Sequence, residues 1–146
     1  MSKERKAQVK RMDKKFAILI KLNADLHCQR CGTFYPILPN FKLQPGIECS
    51  HFVTRKRFNT RWIYENAYAL DTGCHFYFDT HKQLYEQWLI DKQGFDQNKI
   101  DLLKLRSQKV FREDLTLIEI WIDQELKKIL PKYPKLNYSF LKEFYK

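Results

Sequence analysis

Three polar residues have the types and the order that metal-assisted hydrolysis of a phosphate ester requires. His51 is followed after 15 residues by Asn66, and after nine more by His75. A histidine of near-neutral pKa can take a proton from water and make a nucleophile. An asparagine can fix the loop that orients this histidine, and a second histidine can bind a divalent ion that faces the phosphate. Asp79, four residues after His75, and Glu48 are further candidate ligands of that ion.

The elements around these residues are predicted to be a strand, a loop, a second strand and a helix. Residues 47–53 have strand character after the Pro45-Gly46 turn, and residues 68–70 are the expected partner strand. A helix is expected to start near residues 73–75 and to run through residues 89–92, before the stop signal at Gly94. This order places His51 on a strand and His75 at a helix start, which is the layout of a ββα-metal nuclease motif.

The four cysteines predict a structural zinc site. Cys28 and Cys31 form a C-x-x-C-Gly knuckle, whose two thiolates can hold one zinc ion. Cys74 is the expected third ligand. The fourth is either Asp71, which stands three residues before Cys74, or Cys49, which has the softer ligand atom.

The regions on either side are predicted to be helical. Residues 2–26 have apolar side chains at spacings of three and four, and basic residues between them. Residues 95–146 contain a segment that Asn98 is expected to cap, a second segment that ends before Pro131, and a basic, aromatic tail. We therefore expect an α+β fold in a single domain, 1–146. Its parts are a basic helix (1–26), a small zinc-braced core (27–94) and a helical extension (95–146).

The charge of the chain favours a nucleic-acid partner. Lys and Arg number 27 and Asp and Glu 17, which gives a net charge of +10. The cations expected to contact DNA are Arg55, Lys56, Arg57, Arg61, Lys10, Arg11, Lys14 and Lys15. An aromatic content of 15% excludes a disordered chain. We expect neither a membrane span nor a secretory signal, and hence a cytoplasmic protein.

The motif string resembles the NinG (Rap) family of phage recombination proteins, which belong to the HNH endonucleases. The matching residues are C-x-x-C-G at 28–32, Cys49-Ser50-His51-Phe52-x-x-Arg55, Thr60-Arg61-Trp62-x-x-x-Asn66, Cys74-His75 and Tyr85-x-x-Trp88-Leu89 with Gly94. The family usually has a full second C-x-x-C, where this chain has Asp71, and often Asn where it has His75.

The resemblance implies a DNA endonuclease that acts on branched recombination intermediates, such as Holliday junctions and D-loops, in the cytoplasm of a bacterial host. His51 would be the general base, Asn66 the orienting residue and His75 the ligand of a catalytic Mg²⁺ or Mn²⁺. Cys28, Cys31, Asp71 and Cys74 would hold a structural Zn²⁺.

Other functions remain open from the sequence. One is a non-catalytic, zinc-containing DNA-binding accessory protein, which would not need His51 and His75 together. Another is a general or homing-type HNH nicking enzyme without a preference for junctions, and RNA is an alternative substrate. Paired cuts in a two-fold symmetric junction would favour a homodimer.

Overall fold

The chain forms six helices and one two-stranded antiparallel sheet over residues 1–136, which are the residues that this computed structural model describes. The helices are α1 (Lys3–Asn23), α2 (Phe58–Arg61), α3 (Thr72–Thr80), α4 (Lys82–Lys92), α5 (Gln97–Gln108) and α6 (Leu115–Ile129). The strands are β1 (Ile47–His51) and β2 (Ala67–Asp71). The predicted α+β class is confirmed. From residue 137 onward, the predicted basic tail lies outside the described residues.

The first helix follows its predicted pattern. Ser2 caps α1 by accepting a hydrogen bond from the amide of Arg5 at 3.1 Å. All five apolar positions that indicated the helix are buried, namely Val9, Met12, Phe16, Leu19 and Ile20. The helix ends three residues before the predicted bound, because Asp25 and Leu26 adopt positive φ angles of 51° and 58°. Its buried side packs mainly against α6 and the sheet.

Two cations predicted to contact DNA join α1 to α6. Glu119 of α6 accepts hydrogen bonds from Arg11 at 2.7 and 2.8 Å and from Lys15 at 3.0 Å. Lys15 also pairs with Asp123 at 2.9 Å and is only 2% exposed. Lys15 is therefore held in the interior by carboxylates of α6, whereas Arg11 keeps 40% of its side chain exposed. The predicted contact of these cations with DNA stays a prediction.

The β-hairpin separates the two hydrophobic clusters of the molecule. Its register pairs Ile47 with Asp71 and His51 with Ala67. Ile47, Ala67 and Ala69 belong to a cluster with α1 and α6, whereas Tyr68 and Leu70 belong to a second cluster with α3, α4 and α5. One face of the hairpin therefore meets α1, and the other meets the helices that follow the sheet. Between residues 1 and 136, no helix has the length and apolar character needed to cross a membrane.

Three predicted boundaries differ from the structure. Strand β1 stops at His51 instead of residue 53, because the backbone N–H and C=O of Val53 are hydrogen-bonded to the side chain of Asn66. The single helix expected up to residue 92 is broken at His81 (φ −133°, ψ 66°). There the hydroxyl of Thr80 donates to carbonyl oxygens of the preceding turn, those of Phe76 and Tyr77. Asp96, rather than Asn98, caps α5 by accepting from the amide of Lys99 at 2.7 Å.

Candidate functional site

Asn66 clamps the loop between the two strands. Its side chain is fully buried and makes three hydrogen bonds. Oδ1 accepts from the amide of Val53 at 2.6 Å, and Nδ2 donates to the carbonyls of Val53 at 3.0 Å and Thr60 at 2.9 Å. The amide therefore ties the start of the loop to its far side. This is the loop-fixing geometry that the sequence argument expected of Asn66.

His51 has one ring nitrogen engaged by the same loop. Its Nε2 lies 2.8 Å from the carbonyl oxygen of Arg61, which can only accept, so Nε2 carries the proton. Nδ1 is then the nitrogen with a lone pair, and no residue among 1–136 donates to it. Burial lowers the pKa of His51 to about 4, with a further lowering by Arg55 and an opposing effect of the hydrogen bond to Arg61. The ring is therefore neutral at neutral pH.

A carboxylate of α1 holds the peptide group that His51 contacts. Asp13 accepts hydrogen bonds from Nε of Arg61 at 2.9 Å and from the indole N–H of Trp62 at 3.0 Å. A second guanidinium nitrogen of Arg61 reaches the other carboxylate oxygen, and Nη1 donates to the carbonyl of Arg55 at 2.7 Å. The sequence analysis missed Asp13, because 48 residues separate it from Arg61 and no local pattern links them.

His75 lies between two carboxylates. Its Nδ1 is 3.1 Å from Oε1 of Glu48, and its Nε2 is 3.3 Å from Oδ2 of Asp79. Both carboxylates named as candidate ligands from the sequence are thus next to this ring. When Nδ1–H donates to Glu48, the lone pair of Nε2 lies on the side of Asp79.

The two histidines face opposite sides of the hairpin. Successive side chains of a strand alternate, so Glu48 and His51 project to different faces. His51 packs at 6.3 Å from the ring of Phe16 in α1, whereas Glu48 meets His75 of α3. Ser50, directly before His51, also faces the second side and lies 3.0 Å from the hydroxyl of Tyr85. The structure therefore does not join His51 and His75 in one cluster.

Four side chains form a group that could hold a metal ion such as zinc. Ligand atoms of Cys28, Cys31, Asp71 and Cys74 all lie within 4.8 Å of one another. A tetrahedral ion with bonds of about 2.3 Å to sulfur needs ligand atoms somewhat under 4 Å apart, so small movements close the site. Among residues 1–136, no other group of three or more His, Cys, Asp or Glu side chains brings its ligand atoms this close together.

Local backbone structure builds this group. Gly32, at φ 78°, closes the knuckle by donating its amide to the carbonyl of Cys28 at 2.8 Å. Gln29 docks the knuckle on β2, since its amide donates to the carbonyl of Ala69 and its Oε1 accepts from the amide of Ala69. Asp71 caps α3 through Oδ1 at 2.8 Å from the amide of Cys74, while its Oδ2 lies 3.0 Å from the sulfur of Cys31.

The alternative fourth ligand, Cys49, is outside the group. It lies on the face of β1 that packs against α1, whereas Asp71 stands at the end of β2 beside the knuckle. Burial raises the pKa of the Cys49 thiol to about 12, and Lys21 opposes that shift. Asp71 is therefore the residue that completes the group in this structure, and Cys49 is not part of it.

The remaining cations divide into bound and exposed ones. Arg61 is 15% exposed in its side chain and is held by Asp13, and its predicted contact with DNA stays a prediction. The side chain of Arg55 is 62% exposed, although it lies 3.9 Å from Asp13. Lys56, Arg57, Lys10 and Lys14 are also exposed. These five cations lie on α1 and on the loop that Asp13 joins to it, and Arg55 is close enough to His51 to lower its pKa.

A cavity of about 490 Å³ lies between the loop and α6. Its walls include Phe58, Trp62, Tyr64 and Trp121. The side-chain donors of Trp62 and Tyr64 are used by Asp13 and Glu125. Carboxylates at Glu65, Glu113 and Asp114 complete the wall. Such a lining repels phosphate, so the cavity is not part of the cationic surface around His51.

Comparison of the chain with protein-family models, with curated proteins and with solved structures finds no match. The resemblance to NinG therefore rests on the sequence motifs alone.

Proposed function

We propose that this protein is a divalent-metal-dependent DNA endonuclease of HNH type that acts on branched recombination intermediates in the cytoplasm. The observation that carries the proposal is the hydrogen bond from Nε2 of His51 to the carbonyl oxygen of Arg61. It leaves Nδ1 as a proton acceptor on a ring that is neutral at physiological pH. A neutral, oriented imidazole in a cationic setting is suited to activating water near a phosphate.

In this mechanism, His51 removes a proton from the attacking water through Nδ1, and the Arg61 carbonyl stabilises the resulting imidazolium through Nε2–H. Asn66 keeps the loop that carries this carbonyl in place. His75 and Asp79 would hold a Mg²⁺ or Mn²⁺ ion, which supplies charge neutralisation at the phosphate and leaving oxygen. The hairpin lies between His51 and His75, so the proposal places water activation on the His51 face and a candidate ion site, His75 with Asp79, on the other face. The comparison of cleavage in Mg²⁺ with cleavage in EDTA tests the requirement for the ion.

The exposed cations support a nucleic-acid substrate. Lys10, Lys14 and the 55–57 segment lie on the two elements that Asp13 connects, and Arg55 acts electrostatically on His51. Contacts of these side chains with phosphates give affinity that falls as salt rises and carries little sequence information. The preference for branched DNA comes from the resemblance to NinG, because phosphate contacts do not distinguish a junction from its arms.

The cysteine group supports a structural role for zinc. It joins the knuckle after α1 to the end of β2 and the start of α3, so a Zn²⁺ ion would brace the element that carries His75. A short hairpin and helix bury little apolar area, and metal binding adds folding free energy in such cases. No step of the proposed hydrolysis uses this ion.

The test is cleavage of a labelled four-way junction and of a linear duplex with the sequence of its arms, in Mg²⁺, in Mn²⁺ and in EDTA. We expect metal-dependent cutting of the junction and slower cutting of the duplex. Equal rates on both substrates would replace the junction enzyme by a general HNH nicking enzyme. Salt-sensitive binding without cutting in either metal would contradict the endonuclease and favour the zinc-containing accessory protein.

A further inference from the structure

One carboxylate on α1 fixes the peptide group that orients the candidate base. The carbonyl oxygen bonded to His51 belongs to the peptide unit between Arg61 and Trp62. The side chains on both ends of that unit donate to Asp13, through the guanidinium of Arg61 and the indole N–H of Trp62. A peptide unit held at both flanking side chains by one acceptor has little freedom to rotate.

The contact between Asp13 and Arg61 lies on a rigid element and is shielded from solvent. Asp13 lies in the middle of a 21-residue helix whose apolar side is buried against α6 and the sheet. The side chains of Asp13 and Arg61 are 19% and 15% exposed, which limits competition from water and salt. A forked, charge-assisted contact of this kind fixes direction as well as distance.

The same guanidinium also orders the cationic segment of the loop. Nη1 of Arg61 donates to the carbonyl of Arg55 at 2.7 Å. Arg61 thus connects three things: the α1 carboxylate, the 55–57 segment and the carbonyl that accepts from His51. Asn66 holds the loop from within, whereas Asp13 holds it from outside the β-hairpin.

We propose that Asp13 is a positioning residue for the candidate general base, acting through Arg61 and Trp62 to keep the Arg61 carbonyl directed at Nε2 of His51. The proposal rests on the proposed function, and it extends the active unit beyond the hairpin and α3 to the N-terminal helix. Without the Asp13 charge, the carbonyl is free to turn away, and His51 loses the bond that assigns its proton to Nε2.

The first test needs no substrate. Asp13→Asn keeps an oxygen that can accept from Trp62, but it removes the charge that holds Arg61. ¹⁵N-labelled histidine NMR then reports which ring nitrogen of His51 is protonated. We expect the wild type to show the Nε2–H tautomer and Asp13→Asn to show a mixture. An unchanged tautomer in the variant would overturn the proposal, whether or not the protein cuts DNA.

The second test is kinetic, with Glu119→Gln as the matched control. Both changes remove a carboxylate that anchors an arginine between α1 and another element, but Glu119 lies on α6, and its hydrogen-bond partners within residues 1–136 are all on α1. In single-turnover junction cleavage with Mg²⁺, Asp13→Asn is expected to lower the rate at saturating enzyme by about tenfold or more, with DNA affinity changed far less. Glu119→Gln is expected to cut near the wild-type rate where it is folded.

A third variant separates positioning from loss of folding. Arg61→Gln breaks the same link from the other side, so its effect on the cleavage rate should not add to that of Asp13→Asn. Additive effects, or equal rate losses in Asp13→Asn and Glu119→Gln, would show a merely structural role and contradict the proposal. A wild-type protein that does not cut would end the proposed function, yet leave the NMR test of the Asp13–His51 link standing.

Discussion

Nε2 of His51 donates a hydrogen bond to the carbonyl oxygen of Arg61 at 2.8 Å. This single contact decides which ring nitrogen can accept a proton. It also gives Nε2 a hydrogen-bond partner in a ring that otherwise packs against Phe16.

The first prediction concerns the charge of His51. Burial lowers its pKa to about 4, so acid must reach about that pH before the ring is protonated. At about pH 5.5, an unshifted histidine would be mostly charged and His51 should be neutral. An NMR titration of the ring Cε1 proton checks this, with the resonance assigned by its loss in His51→Gln. A titration midpoint near 6.5 would contradict the buried, loop-bound ring.

The second prediction concerns the loop clamp. In Asn66→Asp, an acceptor replaces the Nδ2 donor, opposite the carbonyls of Val53 and Thr60. A buried acceptor without a donor is costly, so we expect a loss of about 3 kcal/mol in the free energy of unfolding. Urea denaturation measures it. Asn98→Asp, on the exposed surface of α5, is the control and should change stability little. Similar values for the two variants would mean that Asn66 does not hold the loop.

The third prediction separates the two roles of Asp71. Asn is a good helix cap, so Asp71→Asn should keep the α3 cap while offering zinc only a neutral oxygen. Asp71→Cys should bind zinc more tightly but lose about 1 kcal/mol of capping free energy. Competition with a chromophoric zinc chelator is the measurement. We expect zinc retention to decrease from Asp71→Cys to the wild type to Asp71→Asn. Equal retention by all three proteins would show that Asp71 is not a zinc ligand.

The fourth prediction concerns stability in acid. Hydrogen bonds from Arg11, and then from Lys15, hold the pKa of Glu119 at about 2, below its ordinary value of 4.5. A group whose pKa is lower in the folded state stabilises the fold above its unfolded pKa, and that stability is lost as pH falls toward the folded value. We therefore expect the free energy of unfolding to fall between about pH 5 and pH 2.

Glu119→Gln should flatten that acid dependence and cost about 2 to 3 kcal/mol at neutral pH, because Lys15 then loses a charged partner. Lys128, an exposed lysine paired with Glu125, is the control, since Lys128→Gln should cost under about 1 kcal/mol. An acid dependence that stays the same in Glu119→Gln would show that other carboxylates cause it.

Local patterns predicted the elements better than the contacts between them. The apolar spacing in α1 and the Pro45-Gly46 turn before β1 are local signals, and both elements formed, each ending two or three residues before its predicted bound. The pairing of Lys15 with Glu119 spans 104 residues, and the link of Asp13 to Arg61 spans 48. Such tertiary contacts give Lys15 and Arg61 partners within the fold, and no spacing rule reveals them.

The metal group was predictable because its ligands come in short motifs. Cys28 and Cys31 share one turn, and Asp71 and Cys74 share the start of α3. The choice between Asp71 and Cys49 depended on which face of β1 points to α1, and that follows from the register of the hairpin. Likewise, the break at His81 depends on where the Thr80 hydroxyl binds, which helix periodicity does not contain.

The most direct test of the central claim compares the wild type with His51→Ala on the same labelled junction. DNA affinity is measured in Ca²⁺, and single-turnover cleavage is measured in Mg²⁺. We expect His51→Ala to bind the junction with nearly wild-type affinity and to cut it at least about 100-fold more slowly, because the general base is gone. Cleavage by His51→Ala at the wild-type rate would contradict the assignment of His51 as the base.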